Sequence, residues 1–173
     1  ILAYDYLKRM RIERGEYYIL LLFSVCGMIL MGYANNLLVI FLALELLSIP
    51  LYLLSGFIPG RAVSEEAALK YFLMGTFASA VIIYGAAMLF GATGSINLPD
   101  MVAAVKAGAQ NDVLLLLGAV LLLVGFGFKA GFAPFHMWVP DVYQGAPSSV
   151  TGFMSFGAKA AGLAALMRVF LLA

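Results

Sequence analysis

Residues 113–134 read VLLLLGAVLLLVGFGFKAGFAP, and this stretch decides the fold class. The run from Val113 to Phe128 carries no charge, which at this length reads as a membrane-crossing helix of about 20 residues. Lys129 follows inside the same apolar segment. Gly125, Gly127, Gly131 and Pro134 surround it and weaken the helix where its charge sits. A spanning helix interrupted beside an ionisable side chain is the pattern found where transporters bind ions. The glycine spacing matches neither a dinucleotide nor a phosphate loop, and it lies within a span.

The rest of the chain agrees. Over 173 residues, 64% are hydrophobic and 11% charged, with a mean hydropathy of +1.03. A soluble domain carries about a quarter charged residues, so this chain is expected to be an integral membrane protein. Four further apolar stretches, at residues 17–33, 37–57, 67–92 and 150–167, join the one at 113–138. Of all the formal charges, these five stretches hold only Glu45, Lys70, Lys129 and Lys159. The alternation of a membrane barrel is nowhere present. The expectation is an all-α bundle of five spans, one of them broken, with residues 1–15 a basic linker and 16–173 the five-helix domain.

Several function classes are excluded. A net charge of +1 provides no basic field for nucleic acid. Cys26 and His136 are the only residues of their types, so a disulfide, a structural zinc site, a haem pair or an iron–sulfur cluster cannot be assembled from this chain alone. No cofactor and no metal are expected in it. The first residue is Ile1 rather than methionine, so a piece of a longer polypeptide is expected.

Asn35 and Asn36 mark a tight turn between the first two spans, and Ser64-Glu65-Glu66 suit the first turn of the third. Lys8, Arg9, Arg11, Arg14 and Arg61 fall on one side of a five-span chain, against Lys106 and Arg168 on the other. This asymmetry predicts a cytoplasmic N-terminal flank.

Glu45, Lys70, Lys129 and Lys159 are the candidate functional residues. Inserting one such charge at the centre of a spanning helix costs roughly 2.5–3.5 kcal/mol, so all four need internal partners or water. A lysine can instead extend its stem to the headgroups. That plain alternative is strongest for Lys70, which lies close to its helix end, and weakest for the short Glu45. Pro50 and Pro134 each lie five residues after a buried charge and would free the carbonyls of Leu46 and Ala130 to meet water or another helix. The fourth helix is expected to unwind or bulge over residues 127–134. Opposite charge predicts a Glu45–Lys70 pair that keeps Lys70 protonated. His136 carries an imidazole, the side chain suited to a proton relay, though it lies beside Trp138 at the expected interfacial end. Gly75 and Ser79, four residues apart, read as small residues that let helices approach closely.

The segments LELLSIPLYLLSGF at 44–57, EEAALKYFLMG at 65–75, GFKAGFAPFHMWVPDVYQGAPSSVTGFMS at 127–155 and AKAAGLAALMR at 158–168 carry a resemblance. They closely resemble the antiporter-like membrane subunits of respiratory complex I, the NADH-quinone oxidoreductase. The run DVYQGAP from Asp141 resembles the N-type (subunit 2 in mitochondrial naming) rather than the L- or M-type. The resemblance implies half of an inverted-repeat fold and proton translocation coupled to redox chemistry elsewhere. By motif it implies that Glu45 is the essential glutamate, Lys70 its partner, Lys129 the lysine beside the break and Lys159 the next lysine. It places NADH, FMN, iron–sulfur clusters and quinone in other subunits. It further implies, as partners, other complex I membrane subunits, membrane lipid and a second repeat of the same polypeptide, in a bacterial inner membrane. A multi-subunit cation/proton antiporter without redox chemistry is the competing reading, and a purely structural membrane subunit is the third.

Overall fold

The computed structural model describes residues 2–108 and 111–171. Among them the chain is helical: α1 (Leu2–Arg9), α2 (Gly15–Tyr33), α3 (Leu37–Ser55), α4 (Ala62–Thr93), α5 (Leu98–Lys106), α6 (Asp112–Ala130), α7 (Trp138–Gly145), α8 (Ser148–Phe153) and α9 (Lys159–Phe170). A π-helical turn, Met154–Ala158, joins the last two into one span. Five segments are long and apolar enough to cross a membrane: Gly15–Tyr33, Leu37–Ser55, Ala62–Thr93, Asp112–Ala130 and Ser148–Phe170. The five expected spans are therefore present, with shifted ends.

The shifts have local causes. Asn36 caps α3, its side chain accepting from the Leu38 and Val39 amides, while its own amide bonds Asn97 at the same end of the bundle. The start of α4 lies where expected, with Glu65 in its first turn. It begins at Ala62, and Ser64 is no cap: the residue is buried, and its hydroxyl donates to the Ser55 carbonyl at the end of α3. With 32 residues, α4 is about 48 Å long at 1.5 Å per residue, well beyond a hydrocarbon core of about 30 Å. Its first turns therefore overhang, and α7 packs across them; a side-chain carbon on Gly145 would fall 2.4 Å from the Val63 carbonyl oxygen.

Lipid offers apolar side chains the same environment as the bundle core, so helix contact depends on close packing. Small residues supply it between α4 and α6. A Cβ on Gly125 would meet Ile82 at 2.1 Å, and one on Gly118 would lie 2.9 Å from the Gly85 carbonyl oxygen. This contact brings the C-terminal half of α6 against the middle of α4 and sets the depth of Lys129.

The fourth span is shorter than expected. Helix α6 stays regular through Ala130 and stops there, so the chain is not unwound from Gly127 onward. Gly131 ends it with φ of +74°, in the left-handed region that favours glycine. Residues 131–137 form a turn. Pro134 lies in that turn rather than inside a helix, so it does not free the Ala130 carbonyl. Pro50 does lie within α3.

Candidate functional site

Lys129 is the penultimate residue of α6 and only 3% exposed. Its ammonium donates to Ser48 Oγ of α3 at 2.7 Å and to the Tyr71 hydroxyl of α4 at 3.2 Å. It also lies over the rings of Tyr71 and Tyr52, at 5.4 and 5.9 Å from their centroids. Cation–π attraction strengthens when the cation is desolvated, and the negative end of α6 adds to it. The charge thus has what a buried ammonium requires: two oxygen acceptors, two aromatic faces and a helix C-terminus.

Trp138 holds this arrangement in place. The indole is buried and stacks on Tyr71 with centroids 4.7 Å apart and planes 11° from parallel. Its N–H donates to the Phe128 carbonyl, which also accepts from the Gly131 amide at the end of α6. Trp138 is therefore an internal anchor and not an interfacial one, because the turn at Gly131 folds it back under the helix it follows.

Glu45, half-buried on α3, accepts a hydrogen bond from Ser79 Oγ of α4. The expected Glu45–Lys70 pair is absent from the structure. Lys70 instead pairs with Asp141 of α7 at 2.6 Å and with Glu66 one turn earlier at 2.7 Å, and its side chain is 42% exposed. The reason is helical rotation. Lys70 and Ser79 are nine residues apart, about two and a half turns, so they occupy opposite faces of α4. Once Ser79 faces Glu45, Lys70 faces outward. Ser79 is thus a hydrogen-bond partner rather than merely a small residue, whereas Gly75 does make room: a Cβ there would lie 2.2 Å from the Tyr52 hydroxyl oxygen.

Lys159 begins α9 directly after the π-helical turn. Such turns recur at functional sites, and this one had no signature in the sequence reading. The ammonium lies over the Tyr143 ring, 5.4 Å from its centroid, and beside Gly131, where an added Cβ would be 3.7 Å from Nζ. Burial raises the Tyr143 phenol above its ordinary value, so it stays protonated. His136 sits exposed in the turn after α6, and the side-chain bonds around Lys129 do not include it.

The structure therefore brings Glu45 and Lys129 to one place through side chains the sequence reading did not assign to it: Ser48, Tyr52, Tyr71 and Ser79. Three of these lie with Lys129 around a cavity of about 10 Å³ that Gly75 and Gly125 also line. Spacing on α3 was the available signal, since Glu45, Ser48 and Tyr52 fall at i, i+3 and i+7 and share a face.

The family model described as NADH:quinone oxidoreductase/Mrp antiporter, TM, matches residues 34–173. The chain is 51% identical over 171 residues to NADH-quinone oxidoreductase subunit N 2 of Roseiflexus castenholzii, covering 97% of this chain and 34% of that one. Identity to subunit N of Trichlorobacter lovleyi is 45% over 174 residues, or 100% and 36% of the two chains. A chain of respiratory complex I from Thermus thermophilus superposes with a TM-score of 0.80 at 49% identity, covering 90% of this chain and 34% of that one. The Mrp complex from Dietzia matches at a TM-score of 0.77 and 24% identity over 87% and 28%, a likeness of fold alone. The chain spans about a third of the length of the curated relatives it matches. With its five apolar spans, a family model matched from Asn-rich turn to C-terminus and relatives near half identity, the chain belongs to the NADH:quinone oxidoreductase/Mrp antiporter transmembrane family.

Proposed function

We propose that this chain is one five-helix repeat of an N-type membrane subunit of NADH-quinone oxidoreductase, moving protons through buried side chains while redox chemistry proceeds in other subunits. The observation that carries the reading is Lys129: fully enclosed, bonded to neutral Ser48 and Tyr71, and set at the C-terminal end of α6. A lysine needed only for structure gains most from a carboxylate partner; one held by neutral hydroxyls can lose its proton without stranding an opposite charge. Ser48 and Ser79, which Lys129 and Glu45 bond, line one cavity, and Lys159 stands beside Gly131 at the end of α6, which gives the proton further stations.

In this reading NADH, FMN, iron–sulfur clusters and quinone belong to other subunits, and a second repeat of the same polypeptide completes the channel. The N-terminal flank lies in the cytoplasm of a bacterial inner membrane. Lys70, with Asp141 and Glu66, lies at the cytoplasmic end, lining a polar pocket of about 230 Å³ that can feed protons inward. Relatives near half identity that are named for the oxidoreductase favour this over an antiporter without redox chemistry.

The test is proton pumping by the assembled complex in sealed vesicles, driven by NADH. Glu45→Gln is expected to assemble and to pump poorly. Normal pumping by that variant would overturn the reading.

A further inference from the structure

Glu45 and Lys129 do not touch through their own hydrogen bonds; each ends on a different serine. Ser79 Oγ donates to Glu45, and Ser48 Oγ accepts from Lys129 while donating to the Leu44 carbonyl. Both serines and Lys129 line the same small cavity, together with Tyr52. Its volume, about 10 Å³, is about what a single water needs, and such a water requires two to four polar partners. Ser79, Ser48 and Lys129 meet that requirement. The remaining walls are apolar or glycine: Leu44, Gly75, Ala78, Ile82, Gly125 and Phe128. Lys129 has three N–H donors, two of them used by Ser48 and Tyr71.

We propose that the Ser79 hydroxyl is the proton link between Lys129 and Glu45, working through one water in this cavity. The inference rests on the function proposed above and adds the residue that joins its two stations. The step balances as follows. The Lys129 ammonium gives a proton to the water, the water gives one of its own to Ser79 Oγ, and the original Ser79 hydroxyl proton passes to the Glu45 carboxylate. The products are a neutral amine, a neutral carboxyl group, an intact water and an intact serine. Rotation of the water and of the hydroxyl resets the link. A serine suits this place because a hydroxyl donates and accepts at once and turns freely; alanine can do neither. Gly75 and Gly125 matter to the same link, because side chains there would meet Tyr52 and Ile82 and fill the cavity.

The experiment uses the full-length subunit in its assembled complex, in sealed vesicles, comparing Ser79→Ala, Ser79→Thr and Glu45→Gln. Pumping per NADH oxidised is read alongside assembly. Ser79→Ala is expected to assemble and to lose about a hundredfold of its pumping rate, the low end of what positioned proton transfer contributes. Ser79→Thr keeps a hydroxyl and is expected to restore at least half. Wild-type pumping by Ser79→Ala, or equal loss in the alanine and threonine variants, overturns the link. So does failure of Ser79→Ala to assemble, which would make the hydroxyl a folding element. If Glu45→Gln also pumps normally, the functional reading itself fails; if Glu45→Gln is inactive while Ser79→Ala is normal, only the link does.

Discussion

Lys129 on α6 and Ser48 on α3, 81 residues apart in sequence, are joined by a buried hydrogen bond of 2.7 Å. The bond ties the charged end of one spanning helix to the middle of another, and it does so with a neutral acceptor. Removing Ser48 leaves the ammonium with Tyr71 and the ring faces. Losing one partner of a buried charged group costs about 1–3 kcal/mol, which shifts the balance toward the neutral amine. Ser48→Ala is therefore expected to slow NADH-driven pumping several-fold in an assembled complex. Unchanged pumping would show that the bond has no part in proton handling.

Trp138→Phe probes the anchor. Phenylalanine keeps an aromatic face toward Tyr71 but cannot donate to the Phe128 carbonyl. The carbonyl keeps the Gly131 amide as a donor, so the loss is that of one hydrogen bond, about 0.5–1.5 kcal/mol. A lower thermal midpoint of the purified complex is expected, with pumping reduced because Tyr71 is less firmly held. An unshifted midpoint would mean the Gly131 amide alone satisfies the carbonyl.

Gly131→Ala acts on the break. A side chain disfavours the left-handed backbone by roughly 1–2 kcal/mol, and the new carbon would stand 3.3 Å from Val139 and 3.4 Å from Lys159 Cε. Val139 would have to give by a few tenths of an ångström, and the strained turn would disturb the packing beside Lys159. The variant is expected to pump more slowly than wild type while Gly152→Ala, where an added carbon meets nothing within 4 Å, pumps normally. Equal behaviour of the two would detach Gly131 from function.

Asp141→Asn tests the outward pairing of Lys70. Exposed ion pairs contribute little to stability, so the thermal midpoint of the complex should not change measurably. The pumping rate should become less sensitive to salt, because the charge pair that ions screen is gone. A marked loss of assembly would instead place this pair at a buried contact.

Much of this was legible in the sequence because lipid imposes a simple rule. Long apolar runs became spans, and each charge inside a run needed an explanation, which singled out Glu45, Lys70, Lys129 and Lys159. Rotation about the helix axis was less legible. Nothing in the local composition of α4 says that Ser79 rather than Lys70 turns toward Glu45; packing against α6 through Ala78, Ile82 and Gly85 decides it. Trp138 misled for a related reason. Its position near the end of an apolar run suggested the membrane interface, whereas the turn at Gly131 returns it to the core. The π-helical turn before Lys159 adds one residue to a helix without any proline or charge to mark it.

The central claim is that Lys129 gives up and regains a proton, and Lys129→Arg tests it most directly. Arginine keeps the positive charge but does not deprotonate in proteins. Pumping is measured in sealed vesicles containing the assembled complex, with NADH oxidation recorded in parallel. The account predicts that the arginine variant assembles yet pumps little, as Lys129→Ala also should. Full pumping by Lys129→Arg would contradict it, leaving Lys129 as a fixed charge.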